Sequence, residues 1–195
     1  MTALIRLHDA VFSLLQRTLE GWALGLLARL VFAGTLLVYY WHSATTKVGE
    51  GVTGFFRIQD GAYWQMLGEP LVAEYNYDAG ALPFFPYDLI VGFGTYAEFL
   101  LPLLIVLGLA TRLASLGMIG FILVQSYVDI TVHAADATTI GAWFDRFPDA
   151  AILDQRAFWI FGLTYLAVRG AGAVSLDSLL APRQPAPAAQ EPGPA

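Results

Sequence analysis

The sequence contains no cysteine. Disulfide bridges, thiolate nucleophiles and cysteine-ligated zinc or iron–sulfur centres are therefore excluded. Charge is scarce as well: Asp, Glu, Lys and Arg make up 13% of the 195 residues, about half of what a soluble domain carries. The charge present sums to −6, and a chain without a basic face lacks the footprint of a nucleic-acid partner. Three histidines and three methionines would make any metal site sparse. Apolar residues are in excess, at 57% hydrophobic with a mean hydropathy of +0.59. They are gathered in long runs, so lipid is the expected solvent for much of the surface.

Residues 1–22 do not read as a signal peptide, because Asp9 and Glu20 interrupt them and no compact apolar core follows Arg6. Their period is helical. Leu4, Leu7, Val11, Leu14, Leu15, Leu19 and Trp22 fall on one side, and Arg6, Asp9, Ser13, Gln16, Arg17 and Glu20 on the other. This predicts an amphipathic helix, lying either in the membrane interface or against the protein's own cytoplasmic side. Residues 23–181 read as a transmembrane domain with spans at about 24–41, 87–109, 113–132 and 152–173. The first would rise about 27 Å. The fourth is the shortest as an apolar run, Ala157 to Val168; it is extended because an odd number of spans would leave the charged tail outside. The Pro-rich residues 182–195 are predicted to form a disordered tail. The fold class expected is all-α: an integral membrane four-helix bundle with an N-terminal interfacial helix.

Orientation follows from the short loops. The connection between spans two and three is almost nothing but Thr111-Arg112, which places it, and with it both termini, on the cytoplasmic side. The loop at 42–86 is then external and longer than a helix–helix connection requires. It carries Phe55, Phe56, Tyr63, Trp64, Met66, Tyr75 and Tyr77, a composition that suits an ordered lid over the outer end of the bundle. Asp60 is placed to cap a short helix over Gly61 to Leu67.

Ionisable groups inside a membrane are expensive, and Arg29, Glu98 and Asp129 stand out. Arg29 lies near the cytoplasmic end of span one, where it either snorkels to the interface or pairs with Glu98. Glu98 sits mid-span with Pro102 four residues on; proline leaves the Glu98 carbonyl without its helical N–H and allows a kink. Thr35, Tyr39 and His42 recur on one face of span one, and Gln125, Asp129 and His133 on one face of span three. Together these predict a polar funnel descending from the outer surface to Glu98, for a small molecule or a proton. The bland alternative is helix-to-helix hydrogen bonding at about 0.6 kcal/mol per contact. His42 and His133, at outer helix ends, could clamp a haem or hold a metal with Asp129 or Asp136, although solvated interfacial histidines are commoner.

Three stretches carry a family likeness: Arg29-Leu-Val-Phe-Ala-Gly34 continuing to Lys47; Glu98 followed by Gly108-Leu-Ala-Thr-Arg112; and Arg169-Gly-Ala-Gly-Ala-Val-Ser-Leu-Asp177. In this order they resemble the DoxX family of bacterial four-helix inner-membrane proteins, over about residues 24–181. Trp64 to Tyr75 is similar to one subgroup. The resemblance implies a multi-pass protein of the bacterial plasma membrane linked to redox, oxidative-stress or metal-handling chemistry. Relatives include the membrane subunit of a thiosulfate–quinone oxidoreductase. Carried over are Arg29, Glu98, Arg112 and Asp177. For Arg112, Arg169 and Asp177 a structural role at cytoplasmic helix ends is the simpler reading.

The leading expectation is thus a membrane subunit or anchor of a redox system rather than a self-sufficient enzyme. Quinone is the candidate cofactor, haem the less favoured one. A redox partner on either side and a homo-oligomer are compatible with this. The alternatives are a small proton-coupled transporter using the same funnel and a non-catalytic interaction protein whose outer loop docks a partner.

Overall fold

A computed structural model describes residues 2–181, so the expected disordered tail lies outside the described residues. Among the described residues every regular element is helical and there is no strand, apart from a single bridge between Val48 and Ile58. We label the main helices α1 (Thr2–Leu19), α2 (Ala23–Thr45), α3 (Asp60–Leu67), α4 (Glu69–Glu74), α5 (Leu89–Leu107), α6 (Thr111–Thr131), α7 (Arg156–Arg169) and α8 (Leu176–Leu180).

Three stretches, Ala23–Thr45, Phe84–Leu107 and Thr111–Thr131, are long and apolar enough to cross a membrane. The fourth expected span is weaker. α7 has 14 residues, preceded by a π-helical turn at Ala151–Gln155 that holds Asp154. It nevertheless packs along α6 and α2, while α5 packs against α6 and α2. The core is built from stripes at helical spacing: Phe32, Leu36 and Tyr40 of α2, Met118 and Ile122 of α6, and Leu163 and Leu166 of α7, all 5% exposed or less. The opposite faces are apolar too, with Phe93, Leu113 and Phe158 each more than 70% exposed. A bundle apolar inside and out is suited to a hydrocarbon surround.

α2 passes through a π-helical segment, Ala33–Leu37, and continues a turn beyond the predicted end at residue 41. α5 runs unbroken through Pro102, which is buried. The indole of Trp41 donates to the carbonyl of Phe99 at 3.1 Å, tying α2 to α5 one residue past Glu98.

The α5–α6 turn is locked by two charges. Gly108 takes a left-handed conformation, φ 69° and ψ 42°, and ends α5. The Arg29 guanidinium then donates to Ile105 O at 3.1 Å, Val106 O at 2.6 Å and Val174 O at 2.5 Å. Carbonyls in the last turn of a helix have no intrahelical donor, and a cation also suits that end of the dipole. Asp177 does the converse at the start of α6, accepting from the backbone N–H of Ala110 at 2.7 Å and of Thr111 at 2.9 Å. Arg29 therefore neither snorkels nor pairs with Glu98. Arg169 ends α7 as expected and pairs with Glu20, whose carboxyl it holds below the usual range. Arg112 belongs to the first turn of α6, so the favourable-dipole rationale does not apply to it.

α1 buries none of its residues against the rest of the described chain. Its apolar stripe, including Leu4, Leu7 and Leu14, is exposed, and it does not pack on the bundle as one of the two expectations held. The 42–86 loop is ordered. Ala62, Tyr63, Val72, Leu82 and Val91 form a second small core that seats α3 and α4 on the N-terminal end of α5. Asp60 begins α3 but makes no side-chain cap. Tyr75 packs on Tyr87, and Trp64 lies edge-on to Tyr77.

Candidate functional site

The extra turn of α2 carries the site. Its buried stripe, Phe32, Leu36, Tyr40 and Ala44, continues directly to Lys47, the only lysine in the sequence. Just past the end of the helix, the chain folds so that the Lys47 side chain points back into the bundle. Its ammonium lies 2.9 Å from Glu98 Oε2 and 3.1 Å from Oε1. It also donates to Ser43 Oγ at 2.8 Å and to the Ser43 carbonyl at 3.2 Å. Side-chain exposure is 3% for Lys47 and 7% for Glu98. Glu98 belongs to the interior stripe of α5, with Val91, Thr95, Pro102 and Ile105. Either ion buried alone would be an uncompensated charge, so the two are buried together.

The pair walls a cavity of about 110 Å³ between α2, α5 and α6. Gln125, Asp129 and His133 line it from α6, and Gln65 and Met66 of α3 close it. The structure thus brings together Glu98, Gln125, Asp129 and His133, four of the residues predicted to form the funnel. Each of the last three has a further partner. Gln125 accepts from the Tyr40 hydroxyl at 3.2 Å and donates to the Tyr39 hydroxyl at 3.0 Å. Asp129 pairs with Arg156 at 2.5 Å, and Arg156 also reaches Ser126 Oγ at 2.8 Å. The His133 ring meets the Gln65 carbonyl at 2.9 Å, tying α6 to the lid.

Other predicted residues lie elsewhere. Tyr39 reaches the site only through Gln125 and stacks near Trp159. Thr35 bonds back to the Val31 carbonyl and lines a separate apolar groove between α2 and α7. His42 is exposed and does not line the cavity. Asp136 spends its carboxylate on the backbone and hydroxyls of Thr138 and Thr139, which hold it well below the usual carboxylate range. No cluster of three metal-ligating side chains exists among the described residues. Of the two histidines suggested as a clamp, His133 lines the cavity and His42 does not.

Two features control access. On the lid side, Met66 sits in a notch left by Gly94; a β-carbon there would collide with the methionine methyl. Deeper along α6 lies the apolar core: Met118 is about 10 Å along the helix from Gln125, and Leu36, Ile122 and Leu163 belong to the same cluster. The cavity's volume is well below the roughly 300 Å³ at which ligand pockets begin. While α3 is seated it has room for a few waters.

Sequence reasoning missed Lys47, which fell in the external 42–86 loop, and Arg156, which fell in the fourth expected span without being marked as a site residue. The signal available was positional: Lys47 continues the core stripe of α2. Arg156 gave no such sign. Neither family models, curated proteins nor solved structures contain a match to this chain.

Proposed function

We propose that this chain is a DoxX-like multi-pass protein of the bacterial plasma membrane, crossing it four times with both termini cytoplasmic. In this reading it is the membrane subunit or anchor of a redox system, and the Lys47–Glu98 cavity is its proton-exchanging site. The observation that carries the reading is the buried ion pair itself, 2.9 Å long and lining a cavity that Gln65 and Met66 also wall. A proton passed from the Lys47 ammonium to the Glu98 carboxylate leaves a neutral pair, so the two groups can exchange a proton between them without stranding a buried charge. Gln125, Asp129 and His133 extend that polar contact toward the lid.

The apolar layer below the cavity favours a one-sided site over a through-path. Quinone chemistry would need α3 to withdraw, since the closed cavity of about 110 Å³ is well below the size of ligand pockets. A short-chain quinone should raise the thermal midpoint of the wild-type protein in lipid nanodiscs and leave Glu98→Gln unmoved. No shift in the wild type would remove quinone as the ligand.

The occluded geometry also favours a second reading, a small proton-coupled carrier. Substrate-dependent proton uptake in proteoliposomes is its signature. A carrier must also open the layer of Leu36, Met118, Ile122 and Leu163, which makes it the less economical proposal.

A further inference from the structure

At the end of the bundle opposite the lid, a groove of about 640 Å³ runs between the start of α6 and the turn after α7. It joins a second depression of about 380 Å³, and Arg112, Arg169, Gly170 and Gly172 line both. The two arginines differ in what they have left to offer. Arg169 is held by Glu20. Arg112 is exposed and makes no side-chain hydrogen bond or ion pair among the described residues, so its fork of five donors is free. It lies over Gly170, where an added β-carbon would come within 3.5 Å of its Nε.

The lips of this groove are apolar. Leu113, from the same turn of α6, is 73% exposed, and Val168, one residue before Arg169, is 66% exposed. Two acids are nearby, and both are occupied: Glu20 by Arg169, and Asp177 by the N–H groups of Ala110 and Thr111. The free Ser178 side chain adds an exposed hydroxyl to the lining. Gly21, just past the end of α1, also borders the groove, and α1 leaves its apolar stripe uncovered.

We infer that this groove binds the phosphate of an anionic phospholipid, with Arg112 as the principal ligand and the acyl chains lying along Leu113 and Val168. A guanidinium beside exposed apolar side chains, at the end of helices apolar enough to cross a membrane, matches the two parts of such a lipid in both chemistry and order. A soluble phosphate would satisfy the guanidinium and leave the apolar lips uncovered. The site is independent of the Lys47–Glu98 cavity and stands or falls without it.

Native mass spectrometry of the full chain released from detergent tests the inference, using phosphatidylglycerol, phosphatidylcholine and inorganic phosphate as probes. The wild type should retain phosphatidylglycerol in preference to the other two. Arg112→Gln should weaken that retention about tenfold, the loss of one charge-assisted contact, and Arg112→Lys should restore part of it. Because Arg112 bears no load in the fold, the variant's thermal midpoint without lipid should match the wild type. Unchanged phosphatidylglycerol retention in Arg112→Gln overturns the inference. So does equal retention of phosphatidylcholine, or binding of inorganic phosphate alone.

Discussion

The ion pair between Lys47 and Glu98 allows a quantitative test by a double-mutant cycle. Lys47→Met removes the ammonium while roughly preserving the stem, and leaves Glu98 facing a cavity at 7% exposure with no cation in contact. Removing one member of a buried pair costs about 3–5 kcal/mol, because the remaining charge is stranded. That corresponds to a loss of roughly two to three and a half decades in the folding equilibrium. Glu98→Gln is the gentler change, since an amide oxygen can still accept from Lys47, and the Ser43 hydroxyl and carbonyl remain at 2.8 and 3.2 Å. Its cost should fall at or below the lower end of the range. The double variant Lys47→Met/Glu98→Gln removes both charges and should recover at least half of the Lys47→Met loss. Reversible unfolding by SDS in mixed micelles, followed by the circular dichroism of the helices, provides the four free energies. Additive losses, with the double variant as unstable as the sum of the two singles, would refute the reasoning. So would a Lys47→Met protein as stable as the wild type.

Three further outcomes are expected. Arg29→Met should destabilise the same unfolding equilibrium by about 3 kcal/mol or more, since three charge-assisted contacts to carbonyls are lost together; Arg29→Lys should rescue less than half, lacking the planar fork, and full rescue would show that charge alone suffices. The Tyr63 phenol is pushed up to about 12, by burial first and then by its contact with Asp88. A raised pKa means the phenol favours the fold below the unfolded value near 10, and that contribution fades as pH climbs toward 12. Ultraviolet titration of Tyr63→Phe should therefore lack one late tyrosinate step, and an unchanged curve would contradict the assignment. Finally, Gly94→Val should expel Met66 and lift α3 from the cavity. In a chain free of native cysteine, a cysteine introduced as Val128→Cys on the cavity wall should then react several-fold faster with a water-soluble maleimide. Equal rates would mean that Met66 does not seal the site.

Hydropathy and period were enough to place three of the helices, because each must present apolar side chains for its whole length whatever its neighbours do. The same reasoning found the interior stripe of α6 through Gln125, Asp129 and His133, since groups at helical spacing share a face in any packing. The amphipathic character of α1 was also readable, and only its isolation from the bundle required coordinates. Glu98 was legible for a related reason: a carboxylate amid an apolar run calls for a partner.

The sequence could not name that partner. Lys47 lies 51 residues from Glu98, beyond the end of an apolar run, and by composition alone it belongs to a solvated loop. Only the tertiary structure shows α2 continuing another turn and the chain folding back to place the ammonium beside the carboxylate. Arg29 illustrates the same limit. Its charge and depth were evident, but its partners are backbone carbonyls exposed by the end of a different helix and by a segment 145 residues away. Local pattern reveals where a charge is costly. What compensates it depends on which helix ends and side chains the packing brings within 3 Å, and that is a property of the whole fold.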